Sequence, residues 1–224
     1  MADRVAAVQA NLEKACGTAG RSPDEVLLVA VSKRKGPEAV GEAVSCGLRT
    51  FGENRVQEAK EKIPDCPEQA DWHLIGSLQS NKARLAIELF SCIHSIDRLS
   101  LLHRLESVCG EAGSTVRGLL QVNVSGEASK HGISPEAAPE LIEAACACRN
   151  VEVVGLMTMP PAASDPQAAA PYFARLRELR DRWQSTSGLP LPELSMGMSH
   201  DYEVAIAEGA TMVRVGTALF GERS

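Results

Sequence analysis

LLVAVSKRKGPEAVGEAVSCGLRTFG, residues 27–52, is a strand, a helix and a second strand in twenty-six residues. Leu27–Ser32 is a short apolar run, the composition of a strand buried on both faces. It ends at a polar Ser32-Lys33, and Gly36-Pro37 then starts a helical pattern, PEAVGEAVSCG, with proline at its first turn. Arg49–Gly52 begins the next apolar run. A helix of this length between two such runs is the crossover of a parallel βαβ unit.

The same alternation recurs along the chain. The further runs His73–Gly76, Cys92–Ser95, Leu119–Val124, Val153–Met157, Leu194–Met196 and Met212–Val215 bring the expected strands to eight. Helical patterns such as SNKARLAIELF, LSLLHRLESVCGEAG, PEAAPELIEAACAC and PYFARLRELRDRWQ separate them. Eight units predict an α/β fold, a single (β/α)8 TIM-type barrel, because closure removes exposed edges. An open doubly wound sheet is the runner-up. The amphipathic start, MADRVAAVQANLEKACG, adds an N-terminal extra helix. No linker or low-complexity block divides residues 1–224, so one domain is expected; PPAASDPQAAA is the one Pro/Ala-rich loop.

Composition narrows the function. Of the 224 residues 44% are hydrophobic and 23% charged, with a net charge of −6 and no basic stripe, which argues against nucleic acid. The first residues lack the apolar centre of a signal peptide, and no apolar run is long enough for a membrane span. A cytoplasmic protein is expected. The seven cysteines form no CxxC pair, so they read as reduced thiols, and no metal site is expected.

Chemistry concentrates where strands break the apolar rule. The two-residue alternation puts Leu27, Val29, Val31 and Lys33 on one face, and Met212, Arg214 and Gly216 on another. His73 leads the third run, His94 ends the fourth, and Gln121 and Asn123 share a face of the fifth. Active sites of such barrels form at the carboxyl ends of the strands. A lysine near other cations has a lowered pKa and a nucleophilic neutral fraction, which condensation with an aldehyde needs. The opposing reading is a strand-end lysine reaching solvent. SMGMSHDYEVAIAEG and VRVGTALFG read as anion-binding turns, with Ser199, Gly216 and Thr217 as contacts. Capping of the following helix would also explain Ser199.

Together, AVSK with Lys33, FGEN with Asn54, WHLIGSLQSNK (72–82), IHSID (93–97), QVNVSGE (121–127), GLMTM (155–159), LSMGMSHD (194–201) and VRVGTALFG (213–221) closely resemble the pyridoxal phosphate homeostasis protein family. The resemblance covers nearly the whole chain, in order. It implies a fold-type III barrel for pyridoxal 5′-phosphate (PLP), related to the N-terminal domain of alanine racemase. It implies PLP as a covalent aldimine on Lys33, phosphate contacts from the SMGMS and VRVGT loops, and Arg214 facing the pyridine nitrogen. The candidate cofactor-binding set is Lys33, Asn54, His73, Ser199, Arg214, Gly216 and Thr217. The implied role is cellular PLP homeostasis as a carrier or buffer, with amino-acid homeostasis, without clear turnover. The implied partners are PLP and, as recipients, apo PLP-dependent enzymes; the implied state is a monomer.

Two positions depart from the family pattern. Arg55 stands where a tyrosine usually follows FGEN, and Arg34-Lys35-Gly36-Pro37 replaces a shorter T-K-P. The competing expectation is a weak racemase-like enzyme on amino acids. Alanine racemase takes its second base, a tyrosine, from another domain; only seven residues follow Thr217 here, so no such domain is expected. Tyr172 falls on an outer helix, Tyr202 beside the phosphate loop, and His73 and His94 are the remaining acid/base candidates.

Overall fold

The computed structural model describes residues 1–127 and 129–221. Its strands are β1 (Leu27–Val31), β2 (Thr50–Glu53), β3 (Asp71–Leu74), β4 (Cys92–Ile96), β5 (Val116–Gln121), β6 (Val151–Met157), β7 (Glu193–Met198) and β8 (Met212–Val215). They pair in chain order, all parallel, and β8 closes on β1 through the register Leu27↔Met212 to Ala30↔Val215. The expected (β/α)8 barrel is therefore the fold. Around it lie α2 (Pro37–Ser45), α3 (Val56–Lys62), α4 (Ala83–Leu89), α5 (Leu99–Ala112), α6 (Ala138–Cys146), α7 (Ala170–Ser187) and α8 (Tyr202–Ala207). The short α9 (Thr217–Phe220) follows β8.

The extra helix, α1 (Ala2–Thr18), buries Val5, Val8, Leu12 and Cys16, a stripe at three- and four-residue spacing. It packs on α8 and α9. The main apolar core lies between strands and helices, and includes Ala30, Phe51, Leu74, Ile93, Leu156 and Val213. Inside the barrel two small apolar groups remain: Val29, Val31 and Ile75, and Cys92, Leu119, Val154, Met157 and Met212. The other buried positions there are polar, among them His73, His94, Ser195 and Arg214. No helix among the described residues is long and apolar enough to cross a membrane. All seven cysteines are free thiols.

Three expectations about the strands need correction. β5 runs Val116–Gln121 rather than to Val124. Asn123 therefore does not share its face with Gln121. Its side chain instead accepts from Ser125 Oγ and Gly126 N–H, and it folds the following turn, as asparagine side chains readily do. β3 starts at Asp71, so His73 sits inside the strand rather than leading it. His94 is the middle residue of β4, not its end. In β3, a polar first residue hid a strand that its register with β2, Thr50↔Asp71 onward, makes plain.

Candidate functional site

A cavity of about 360 Å³ opens at the carboxyl end of the barrel, between the ends of β1, β2 and β8. Val31, Lys33, Asn54, Gly216 and Thr217 line it, so four of the sequence candidates meet there. Its wall also carries Arg34, Lys35 and Arg55, against one acid, Glu58. Four cations around one small space favour an anionic occupant. Arg55, the departure from the family pattern, is one of the four. A larger groove of about 820 Å³ runs between α6 and α7 past Ile142 and Trp183, far from these residues. Size alone would choose the groove; the convergence of an amine, cations and a glycine turn chooses the smaller cavity.

Two glycines make the close packing possible. A side chain at Gly76 would put Cβ 2.3 Å from the Asn54 carbonyl oxygen, so only glycine lets the Asn54 backbone lie where it does. A Cβ at Gly216 would stand 3.3 Å from Val31 Cβ, so glycine brings the β8 turn against β1. Ser199 joins this turn. Its Oγ accepts from Gly216 N–H at 3.1 Å and Ala218 N–H at 3.3 Å. Both bonds use the oxygen's lone pairs and leave its proton to donate. The capping alternative for Ser199 fails, because α8 starts after Asp201 and Ser199 bonds the other loop.

Lys33 follows a clamped residue. The Ser32 hydroxyl donates to Glu53 Oε1 at 2.7 Å, and Lys62 Nζ donates to Ser32 O at 2.9 Å and to Glu53 Oε1 at 2.7 Å. Glu53 is fully buried, and its Oε2 has no hydrogen-bond partner. Burial pushes its carboxyl above the usual range, although Lys62 and Ser32 pull the other way. Arg34 takes a left-handed backbone (φ 62°), unusual for a non-glycine residue, and its N–H donates to Glu58. Glu58 Oε1 also lies 3.5 Å from Lys62 Nζ. The chain on both sides of Lys33 is thus fixed by the β2–α3 segment. Sequence reasoning missed this network. The signal available was Glu53, a carboxylate in a strand otherwise buried on both faces.

Arg214 lies on the same face of β8 as Gly216, one layer deeper, level with Val29 on β1. It is buried, and burial lowers its guanidinium to about 10, so it stays protonated at neutral pH. It donates to Ser195 Oγ at 2.5 Å and to Thr158 O at 2.9 Å. Ser195 Oγ meets His94 Nδ1 at 2.9 Å, and His94 Nε2 meets His73 Nδ1 at 3.0 Å. Burial, with His73 and Arg214 nearby, holds the His94 ring well below its usual pKa, hence neutral. His73 is not in the cavity wall. Its other nitrogen faces Asp71 at 3.2 Å, at the amino end of β3. Tyr202 does not border the cavity either: it is buried, with its hydroxyl on Asn11 of α1.

Residues 4–224 match the model of the alanine racemase N-terminal domain. A pyridoxal phosphate homeostasis protein of Pseudomonas aeruginosa is 47% identical, over 100% of this chain and 96% of its own. One from Aquifex aeolicus is 45% identical, over 99% and 97%. The chain belongs to the pyridoxal phosphate homeostasis protein family. Among solved structures, family member PipY of Synechococcus elongatus without PLP is 38% identical with a TM-score of 0.89, covering 99% of this chain and 100% of its own. PipY with PLP bound is 39% identical with a TM-score of 0.80, over 94% and 100%. Alanine racemase of Clostridium difficile shares the fold at 15% identity and a TM-score of 0.74, over 99% of this chain and 57% of its own.

Proposed function

We propose that this chain holds PLP covalently through Lys33 at the carboxyl mouth of the barrel and serves PLP homeostasis as a carrier or buffer. The observation that carries this reading is the cavity itself. It offers the Lys33 amine just past a clamped strand end, a cationic wall for a phosphate, and a buried guanidinium one layer below. The residues present fit the cofactor: the Gly216–Thr217 turn and the Ser199 hydroxyl for the phosphate, Arg214 for the ring nitrogen, Asn54 beside the ring. When bound, PLP supplies a reactive aldehyde and an electron-accepting ring. His73 supports Arg214 from behind rather than touching the cofactor. One domain, a cytoplasmic setting and a monomer belong to the same reading, with apo PLP-dependent enzymes as recipients.

Turnover needs a second acid/base group at the substrate carbon. Tyr202 is tied to Asn11, the described residues of the cavity wall include no tyrosine or histidine, and its acid, Glu58, is engaged by the Arg34 N–H and Lys62. Arg214 donates and never protonates the ring nitrogen, which weakens carbanion stabilisation. These two features favour holding over converting, and a racemase-like enzyme is the second reading.

Loaded protein is expected to be yellow, and borohydride reduction should fix the cofactor's mass on the peptide containing Lys33. Lys33→Ala should abolish the reducible linkage while the phosphate contacts retain weaker binding. A colourless wild type after loading sinks the proposal. Deuterium uptake at Cα of L- or D-amino acids in heavy water, at appreciable turnover, favours the enzyme instead. Timed transfer of PLP to an apo-enzyme, against free PLP, tests the carrier role.

A further inference from the structure

We propose that Asp71, at the amino-end mouth of the barrel, is a positioning residue for Arg214, acting along a one-way hydrogen-bond chain through His73, His94 and Ser195. That this reaches the cofactor rests on the reading that Arg214 faces its ring.

The direction of the chain follows from its two ends. A guanidinium only donates, so Ser195 Oγ accepts from Arg214 Nη1. Ser195 keeps its own proton, and in the chain proposed it donates this proton to a bare His94 Nδ1. A neutral His94 carries its proton on Nε2 and donates it to His73 Nδ1. His73 Nδ1 is therefore bare too, and its Nε2–H points at Asp71 Oδ2. An ionised carboxylate only accepts. With both rings neutral, the acceptor-only carboxylate fixes this order, and Ser195 fits it because its oxygen accepts from Arg214 while its proton donates to His94. The ring centroids stand 5.1 Å apart with the planes tilted by 52°, and the two facing nitrogens are 3.0 Å apart.

The reason to carry such a chain lies at Arg214. Among the described residues, no carboxylate lies within ion-pairing distance of it, although it is only 3% exposed, and buried Asp201 acts on it from further away. Asp71 adds a second negative end, polarising three neutral groups between. Its side chain is half exposed, at 48%, so the carboxylate keeps its hydration while the arginine loses its own. A direct buried ion pair would have cost both charges their water. The donor atoms of His73, Cys92 and His94 also lie within 4.8 Å of one another, a spacing a metal could use. The chain already occupies the facing histidine nitrogens, and a cation there would oppose Arg214.

Long-range ¹H–¹⁵N correlation on the apo protein reads the histidine tautomers directly. Wild type should show both His73 and His94 as Nε2–H. Asp71→Leu should mix the His73 tautomers and release the hindered Arg214 Nη signals into rapid rotation. Asp71→Asn, which keeps an accepting oxygen, should restore the wild-type pattern. In the loaded protein, Asp71→Leu should also shift the cofactor absorbance band. A His94 proton on Nδ1 in wild type, unchanged spectra in Asp71→Leu, or stoichiometric zinc on His73, Cys92 and His94 would each overturn the proposal. A wild type that takes up no PLP removes the functional reading, and the apo tautomers still decide whether Asp71 sets the chain.

Discussion

Two polar systems cross an interior that parallel strands normally fill with apolar side chains. Under Lys33, Glu53 and Lys62 meet as charges, 2.7 Å apart and 0% and 7% exposed, and leave one carboxylate oxygen without a partner. Under Arg214, the charges stand at opposite ends and the groups between them are neutral and mutually bonded. The first system is compact, costly to desolvate and anchored in one helix. The second is extended and loses little hydration at its acidic end. Buried ion pairs hold geometry at a high desolvation cost, while neutral chains hold it cheaply but need every link. On the function proposed above, the difference suits two tasks: a nucleophile must be fixed at one point, whereas a ring nitrogen needs a donor of fixed charge and direction.

The largest effect is expected from cutting the compact system. Lys62→Met should destabilise the fold by about 3–5 kcal/mol in urea unfolding, because it strands the Glu53 carboxylate. The loss should depend on pH. A Glu53 carboxyl raised by burial binds its proton more tightly folded than unfolded. Its stabilising contribution is present below the ordinary carboxylate range and is lost as pH rises through the folded value. Lys62→Met should therefore lose stability steadily from acid to neutral pH, more steeply than wild type. Glu53→Leu combined with Lys62→Met should recover most of the loss, since it removes both charges. If the double variant is as unstable as the single one, the pair is held for Ser32 rather than for itself. PLP release should then quicken with the loosened Lys33.

The sequence made one of these systems far more legible than the other. Strand alternation put Lys33, Arg214 and Gly216 inward, the small-residue turns pointed to Ser199 and Thr217, and the family motifs led to Asn54. His73 and His94 stood out as polar residues in strands, yet spacing could not say that they touch each other rather than the cofactor. Their contact is set by the register of the adjacent strands β3 and β4, and barrel closure then brings Ser195 of β7 to His94 of β4 across 101 residues. Asp71 looked like a loop residue because a polar strand start carries no periodic signal. Lys62 carried no signal either: it stands among the Lys and Glu residues of α3, and only packing on β2 buries it. Pairings between distant elements are set by the register of the closed sheet, which no local pattern encodes.

A smaller loss is expected from the extended system. His94→Leu removes the central link and leaves the Ser195 hydroxyl and the His73 nitrogen without their partner. Each buried orphan costs about 1–3 kcal/mol, partly recovered by the added apolar contact with neighbouring side chains. Because His94 stays neutral in the fold while the unfolded ring protonates, wild type gains stability from this site as pH rises through the ordinary histidine range, so the loss in His94→Leu should grow from about pH 6 to 8 and then level off. A loss that stays flat or shrinks as pH rises would mean that His94 carries a charge in the fold and that the contrast between the two systems fails.

The smallest effect should come from the exposed end. The Asp71 carboxyl is held below its usual value, chiefly by the hydrogen bond from His73. A depressed carboxyl stabilises the fold above its unfolded pKa, and that contribution disappears as pH falls through the folded value. Asp71→Asn should therefore cost stability at neutral pH and nothing in acid, once the wild-type carboxyl is itself protonated. Since the side chain is 48% exposed, water screens the interaction and the neutral-pH cost should stay below about 1 kcal/mol. Thermal melts of both proteins across the acid range would resolve it. Curves that converge as the pH drops place the charge at the solvent end of the chain. Curves that stay parallel mean that Asp71 acts through packing, and the extended system would then end at His73.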